Sequence, residues 1–363
     1  MNIVVVGGGV IGLSCAWRLG LGPARVMVVE RRECGAGATL ASLGALWPPG
    51  ALARGALQQW HRECLRKFPA FVRELEEASG VRVPTKRGGR WEILTSAEAR
   101  ERAHREAETA CVEWKGWPEI EGRVQAYVGP EEVERQLGLD APFGALRCEA
   151  TGQVHVASLV RSLVLACQAA GVDIRERTEV KRVIVGGERV RGVETAAEGF
   201  VPADAVVLCS GAWTSALVAD DSVVRPAKGQ GIALGVRTGD APGGIIKRGP
   251  IYLVPWGERG EVLVGSTTEP EAGFDEAPTE VAAEMLEAGA KELWPGLRGA
   301  AVLRRWAGLR PDGPKHRPVM GESHRVGGLW ICAGHYKTGI GMAGETGELM
   351  AGAIVRGDPL PRF

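Results

Sequence analysis

The chain has 363 residues, of which 45% are apolar and 24% charged, and its formal net charge is zero. This composition is typical of a globular protein with a full core, and the dispersed, balanced charge argues against a nucleic-acid partner. The eight cysteines show no Cys-x-x-Cys pair and no metal-ligand spacing, so we expect neither a metal site nor a disulfide framework. We therefore predict a cytoplasmic protein with reduced thiols, and no long apolar run predicts a membrane span.

The chain opens on a glycine turn of the kind that binds nucleotides. Residues 3–12 read IVVVGGGVIG, which predicts a buried strand that turns sharply into a helix over about residues 10–19. In dinucleotide sites Gly7 would permit the tight turn, Gly9 would let the main chain approach a pyrophosphate, and Gly12 would let the helix pack on the strand.

The next two segments strengthen this interpretation. Residues 25–30 read RVMVVE, a second buried strand that ends on Glu30, 18 residues beyond Gly12. That spacing is close to the distance of about 20 residues at which an acid binds the adenosine ribose. Residues 34–49 are rich in small side chains and poor in charge, which suits a segment lying against a cofactor. A nicotinamide dehydrogenase has no role for such a segment, so we rank that class of enzyme last among the candidate functions.

The rest of the chain alternates between α/β segments and two more irregular excursions. Helices are predicted over residues 57–79, 96–111, 157–170 and 342–355. Strands are predicted over residues 89–94, 172–175, 180–185, 205–211, 251–254, 262–264 and 329–333. A glycine-rich turn, residues 334–341, separates the last strand from the last helix.

Taken in order, several segments resemble the FAD-dependent D-amino acid oxidase superfamily, and within it the chain is most similar to glycine oxidases. The segments are IVVVGGGVIG, VVLCSGAW, IYLVP with VLVGST, WAGLRP and AGHYKTGIG. The last three discriminate, because the first occurs in every Rossmann-type flavoprotein.

The resemblance implies a mixed α/β fold in which a Rossmann-type FAD-binding domain is interleaved with a smaller, mainly antiparallel-sheet substrate domain. We expect residues 1–80, 146–221 and 306–363 in the FAD-binding domain, and residues 81–145 and 222–305 in the substrate-binding domain. FAD is expected to bind noncovalently, because no cysteine lies near Gly308-Leu309-Arg310, where related sarcosine oxidases attach theirs.

The same resemblance implies the residues that contact FAD. The first helix would bind the pyrophosphate, Glu30 the ribose hydroxyls, Arg31 and Val180 the adenine, and the terminal turn the pyrimidine end of the flavin. The full predicted set is Gly7, Gly9, Val10, Ile11, Gly12, Glu30, Arg31, Ala38, Thr39, Leu43, Gly44, Ala45, Val180, Ser210, Gly211, His335, Tyr336, Lys337, Thr338, Gly339, Ile340 and Gly341.

Three residues are predicted to serve the substrate. A carboxylate that enters an apolar pocket needs a fixed cation, and Arg310 in WAGLRP matches the carboxylate-binding arginine of the family. A surface ion pair is the alternative role for Arg310. Tyr252 matches the tyrosine that steadies the same carboxylate, with a core tyrosine as the alternative. Lys337 stands where glycine oxidases have an arginine, and Thr268 where they have an apolar side chain.

The implied activity is FAD-dependent oxidative deamination of glycine or another small amino acid or secondary amine. Oxygen accepts the electrons, and the imine gives a 2-oxo acid, ammonia and hydrogen peroxide. The resemblance implies hydride transfer to the flavin without a general base, and the glycines near His335 suggest that its backbone shapes the turn rather than its imidazole acting as a base.

The alternatives are a D-amino acid or D-proline dehydrogenase with another electron acceptor, a sarcosine oxidase-like enzyme, which Lys337 favours, and a flavin-binding electron-transfer subunit. We also expect a homo-oligomer, and the resemblance implies a role in thiamine synthesis.

Overall fold

Two large β-sheets of different character organise the fold, accompanied by two smaller sheets of three strands each among the described residues. The computed structural model describes residues 1–113, 124–218, 224–237 and 239–363. The helices are α1 Val10–Gly20, α2 Ala56–Ser79, α3 Ala97–Glu113, α4 Pro130–Leu137, α5 Val156–Ala169, α6 Thr214–Val218, α7 Glu280–Leu293 and α8 Gly339–Arg356. The strands are β1 Asn2–Val6, β2 Arg25–Val29, β3 Ala45–Leu46, β4 Thr85–Lys86, β5 Arg90–Ile93, β6 Gln125–Val128, β7 Ala145–Cys148, β8 Gly152–Val154, β9 Asp173–Arg175, β10 Val180–Gly186, β11 Arg189–Thr195, β12 Gly199–Pro202, β13 Ala205–Leu208, β14 Arg225–Gly235, β15 Ile245–Arg248, β16 Ile251–Trp256, β17 Glu261–Gly265, β18 Val302–Asp312, β19 Val319–Glu322 and β20 Leu329–Ala333.

The first sheet has six strands in the order β19-β20-β13-β1-β2-β9, and all its pairs are parallel except β19 with β20. Its central strands are continuous apolar runs because both faces are covered. Ile3 and Val5 pack in the same cluster as residues of α1, α2, α5 and α8, whereas Val4 and Val6 pack with residues of β11 and β12. The carboxyl ends of β1, β2 and β13 therefore lie side by side at one edge, where α/β sheets bind ligands.

The second sheet has eight strands in the order β18-β14-β17-β16-β15-β5-β7-β6, and only the β15–β5 pair is parallel. It packs against α7 through a second apolar cluster. The two sheets confirm the predicted mixed α/β fold class with a mainly antiparallel second part.

The domain division stays a prediction. Two strands of the eight-stranded sheet, β7 and β18, begin at Ala145 and Val302, just before the predicted boundaries at residues 146 and 306. The boundary predicted between residues 221 and 222 lies outside the described residues.

The last helix corrects one expectation. α8 begins at Gly339, with Thr338 as its N-cap, rather than near Met342. Glycines suggest a turn, but here they allow close packing, because a Cβ on Gly341 would lie 2.5 Å from Leu65 Cδ2. Similarly, the strand predicted over residues 205–211 ends at Leu208. None of the described helices is both long and apolar enough to cross a membrane.

Candidate functional site

A cavity of about 570 Å³, here the main cavity, lies at the carboxyl ends of β1, β2 and β13 and extends to β14, β16 and β18 of the eight-stranded sheet. It collects most of the predicted site residues from segments far apart in the chain. Those lining it are Gly7, Gly9, Val10, Ile11, Glu30, Arg31, Ala38, Thr39, Leu43, Ala45, Val180, Ser210, Gly211, Tyr252, Arg310, His335, Tyr336, Lys337, Gly339 and Ile340.

The four other predicted residues do not line the cavity but shape its walls. A Cβ on Gly12 would lie 1.9 Å from the Gly7 carbonyl oxygen, so α1 packs directly on the turn after β1. Gly44 has a φ of +76° and would bring a Cβ to 2.1 Å from Val154 O. The Thr338 hydroxyl donates a hydrogen bond of 2.8 Å to His335 O, which closes the turn before α8. Gly341 provides the contact with α2 described above.

One end of the main cavity is formed by the open N-terminus of helix α1. Gly9 is the N-cap of α1 and provides no side-chain cap, while the Val10 N–H donates to Thr39 Oγ1 at 3.0 Å. A Cβ on Gly9 would meet only Thr39 Oγ1 within 4 Å, so an alanine methyl would occupy the cradle itself. Backbone amides and the positive end of the helix dipole face this space, which suits a pyrophosphate.

Glu30 is held in place by two backbone amides. Its Oε2 accepts from Gly8 N at 2.8 Å and its Oε1 from Arg32 N at 2.9 Å. The fixed carboxylate lies at the end of β2, where a ribose hydroxyl is recognised in dinucleotide sites. The glycine cradle and this carboxylate fit the ADP half of FAD.

Beside Glu30, the Arg31 guanidinium stacks over the Trp213 ring, 3.5 Å from its centroid, and lies 3.7 Å from Glu276. Trp213 belongs to the GAW segment after β13 and was absent from the predicted set. Val180 and Ser210 complete this wall of the cavity.

At the other end, Arg310 lies on β18 and projects into a notch formed by β14 and the segment after β17. Nη1 donates to Lys228 O at 3.2 Å and Nη2 donates to Ser266 Oγ at 2.9 Å. A Cβ on Gly229 would lie 2.0 Å from Nη1, so only glycine leaves room for the guanidinium. Within the described residues Arg310 forms no ion pair, which argues against the surface-pair alternative. Three of its five N–H donors remain for a ligand.

Tyr252 lines the same end of the cavity. It lies on β16, opposite Gly265 of β17, and its ring meets that of Trp47 edge-on with centroids 5.0 Å apart. Burial raises the pKa of Tyr252, and Ser266 and Arg310 only partly oppose this shift. The phenol therefore keeps its proton at neutral pH and can donate it in a hydrogen bond.

The two departures from the glycine oxidase pattern contact each other. Lys337 Nζ donates to Thr268 Oγ1 at 3.3 Å, and both residues line the main cavity. Burial and the neighbouring Arg310 lower the pKa of Lys337. The Thr268 hydroxyl thus accepts a hydrogen bond from the lysine that the resemblance matches with an arginine.

His335 is buried beneath the terminal turn. Its Nε2 lies 3.1 Å from Thr346 Oγ1, and burial lowers its pKa to about 4, so the imidazole is neutral at physiological pH. Its Nδ1 has no hydrogen-bond partner among the described residues.

Three cysteines form a cluster that their sequence spacing did not predict. The Sγ atoms of Cys15, Cys209 and Cys332 all lie within 4.8 Å of one another, and all three residues are buried. They come from α1, the end of β13 and β20, which pairing brings together. Such thiols pack as small apolar side chains in the core behind the main cavity.

The fold and site define an oxidoreductase that binds a flavin dinucleotide. A family model described as FAD dependent oxidoreductase matches residues 2–353, and the chain belongs to this family. The predicted family and the FAD cofactor are thereby confirmed.

Individual proteins of known function are similar to this chain over nearly its whole length. The glycine oxidase of Pseudomonas putida is 32% identical over 99% of this chain and 96% of its own length. The crystal structure of glycine oxidase from Bacillus cereus superposes with a TM-score of 0.87, at 26% identity, over 99% of this chain and 96% of that one. The bifunctional protein ThiO/ThiG of a Nostoc species is 32% identical over 99% of this chain, and the match covers 54% of the length of that protein.

Proposed function

We propose that the protein oxidises the carbon–nitrogen bond of glycine or another small amino acid or secondary amine, with noncovalent FAD as cofactor and oxygen as electron acceptor. The observation that carries the proposal is Arg310, a guanidinium held in a glycine notch with three donors uncommitted. It faces the cavity that also holds the open N-terminus of α1. An electron-transfer subunit would have no use for such a carboxylate clamp.

In this proposal Arg310 binds the substrate carboxylate through two parallel N–H bonds, and the protonated hydroxyl of Tyr252 donates a third. Lys337 adds a positive charge on the same side of the cavity, steadied by Thr268. These contacts would hold the amino acid by its carboxylate in one fixed orientation, which is what hydride transfer from its Cα requires. The redox chemistry, acceptance of a hydride from the substrate Cα and transfer of the two electrons to oxygen, would be supplied by bound FAD.

The residues proposed to hold FAD are the predicted set. The α1 amides and Gly9 bind the pyrophosphate, Glu30 the ribose, and Arg31 stacked on Trp213 borders the adenine. The turn at 335–338 and the first residues of α8 border the flavin ring. Because α8 begins at Gly339, its first amides would provide positive potential to a flavin ring bound beside this turn.

The same proposal includes the location of the protein, its metabolic role and its oligomeric state. The described cysteines are free and buried, which supports the cytoplasm as the location. Similarity to the bifunctional ThiO/ThiG protein supports a contribution to thiamine synthesis. A homo-oligomer with small-molecule partners only is also proposed.

Steady-state turnover of the purified, flavin-loaded protein tests the proposal. Glycine, sarcosine, D-proline and D-alanine are supplied in turn, with oxygen uptake and peroxide recorded. The same amines are then assayed without oxygen and with a soluble quinone. Oxygen uptake with a matching yield of peroxide is expected for at least one amine. Turnover with the quinone alone would establish the dehydrogenase alternative, and turnover with neither acceptor would contradict the proposed function.

A further inference from the structure

The three-cysteine cluster behind the main cavity has no part in the proposed reaction at Arg310. Cys15 lies on α1, Cys332 lies on β20, and Cys209 directly follows β13. Their thiols converge because β13 pairs with β20 and α1 packs in the same apolar cluster as both strands. The spacing of these cysteines in the sequence predicted no metal site, since it carries no sign of this convergence.

The three sulfur atoms form a triangle of the size that one metal ion fills. Cys15 Sγ lies 4.0 Å from Cys332 Sγ, and all three Sγ atoms lie within 4.8 Å of one another. The centre of an equal-sided triangle with edges in this range lies about 2.3–2.8 Å from each corner, and a metal–thiolate bond is about 2.3 Å long. Sulfur movements of about half an ångström at most would therefore complete the bonds to a central ion.

The number and the type of the ligands select among metals. Among the described residues, no fourth His, Cys, Asp or Glu side chain belongs to the group. Zn²⁺ in structural sites takes four ligands in a tetrahedral arrangement, so three sulfurs alone leave its coordination incomplete. Soft thiolates favour Cu(I), which is stable with two or three sulfur ligands. The cluster therefore suits a soft monovalent cation better than a divalent one.

Burial determines how such an ion is held. Cys15 and Cys332 are both 0% exposed and lie in the apolar cluster beneath the six-stranded sheet. Thiolates without a cation would be costly there, so the metal-free thiols stay protonated and pack as apolar side chains. A cation that binds displaces thiol protons, which leave to the solvent, and the thiolates that form neutralise its charge.

Cys209 connects the cluster to the main cavity. It is 7% exposed and lines that cavity, whereas neither Cys15 nor Cys332 does. It also packs behind the glycine turn, because a Cβ on Gly12 would lie 3.1 Å from Cys209 Cβ. The main cavity therefore gives an ion a route to the cluster in the apoprotein, and a cofactor bound against the glycine turn would close this route.

We propose that Cys15, Cys209 and Cys332 form a binding site for one Cu(I) ion, which enters from the main cavity before FAD binds. The bound ion joins α1, the end of β13 and β20 through their sulfur atoms, so the loaded protein is more stable than the metal-free protein. This inference goes beyond the proposed function and does not depend on the oxidation of any amine.

The test uses the reduced full-length apoprotein without oxygen. Cu(I) is supplied as its coloured complex with bicinchoninate, whose absorbance falls as the protein removes the ion. We expect the wild type to remove one Cu(I) per chain and its Tm to rise by several degrees. Cys15→Ala and Cys332→Ala should lower the Cu(I) affinity at least tenfold and remove the rise in Tm. Cys64→Ala, the same change at a buried cysteine of α2 outside the cluster, should alter neither.

Two further measurements keep the test decisive if the alanine variants fail to fold. Cys209→Ser keeps the size of the side chain but offers a hard oxygen, so it should also lower the Cu(I) affinity at least tenfold. The FAD-loaded wild type should take up Cu(I) at least tenfold more slowly than the apoprotein.

Three results would overturn the site: a wild type that removes no Cu(I) from the chelate, an equal loss of affinity in Cys64→Ala, or Zn²⁺ bound as tightly as Cu(I). Equal rates of uptake with and without FAD would overturn the route through the main cavity. Amine turnover by the metal-free, FAD-loaded protein tests the proposed function separately, so the failure of either one is distinguishable from the failure of the other.

Discussion

Replacing Arg310 by methionine removes the proposed carboxylate clamp and little else. The guanidinium makes two internal hydrogen bonds, to the Lys228 carbonyl and to Ser266, and forms no ion pair within the described residues. The notch over Gly229 accommodates the slimmer side chain, so the variant should fold and keep its flavin. The predicted loss therefore falls on substrate binding and orientation.

The size of that loss follows from the chemistry of the contact. Removing one partner of a hydrogen-bonded charge pair costs 2–5 kcal/mol, and the half-buried position of Arg310 places it at about 2–4 kcal/mol. At 1.36 kcal/mol for each factor of ten, kcat/KM should fall roughly 30- to 900-fold. Ethylamine lacks the carboxylate, so its small kcat/KM should be the same in both enzymes.

The assay is oxygen uptake with the best amino acid substrate and with ethylamine, after flavin content has been matched by absorbance. Arg317→Met serves as the control, because it makes the same change at an exposed site on the following segment. A loss below threefold for the amino acid would refute the clamp. An equal loss for ethylamine would show that Arg310 acts on folding or flavin binding instead.

Three further predictions concern the cofactor cradle, the lysine and the buried histidine. Gly9→Ala should leave the Tm of the apoprotein unchanged but abolish flavin binding. Gly7→Ala should lower the Tm of the apoprotein, because its Cβ would lie 2.5 Å from Cys209 O at a φ of +109°. Equal Tm values for the two variants would contradict this prediction. Burial and Arg310 lower the pKa of Lys337, so its charge is present below the shifted pKa and disappears as the pH rises through it. Acetate affinity, measured by flavin absorbance, should therefore weaken at alkaline pH in the wild type but not in Lys337→Arg, and parallel profiles would show that the lysine charge is irrelevant. Burial lowers the pKa of His335 to about 4, against about 6.5 unfolded, so the unfolded chain binds more protons between these values and stability falls as the pH drops. Between pH 7 and pH 5 the buried His335 should lower the free energy of unfolding of the wild type by about 2 kcal/mol. His335→Gln should lose correspondingly less free energy of unfolding over the same range. An equal loss in both proteins would show that His335 does not cause the pH dependence.

Local patterns in the sequence were sufficient to predict the glycine turn and the acid that are proposed to hold the nucleotide. One short segment contains both the apolar run into Gly7 and Gly9 and the acid at the end of β2. The proximity of this acid to the glycine turn could therefore be predicted. In the structure the Gly8 amide donates a hydrogen bond to Glu30, which connects the end of β2 to the glycine turn.

The substrate half depends on strand pairing between distant segments. Arg310 faces Ala227 across the β18–β14 pair, and its hydrogen-bond partners Lys228 and Ser266 lie 82 and 44 residues away. Neither spacing is visible in the sequence, so the notch at Gly229 was missed, and the role of Arg310 was predicted from the WAGLRP motif alone.

A second cavity of about 610 Å³, which adjoins the main cavity, shows the same limit more strongly. Arg90, Gln125 and His335 come from β5, β6 and the terminal turn, and no motif connects them. The start of α8 was misplaced for another reason, because glycines that pack against α2 are indistinguishable in sequence from glycines that form a turn.

Anaerobic mixing of the purified protein with glycine, sarcosine, D-proline and D-alanine tests the central claim most directly. If the main cavity holds FAD beside an amino acid clamped by Arg310, the protein is yellow as purified, one of these substrates bleaches the flavin absorbance, and air restores it. The same substrate at the same concentration should bleach the Arg310→Met enzyme far more slowly. A colourless protein that takes up no FAD, or a flavin that none of these substrates reduces, would contradict the account.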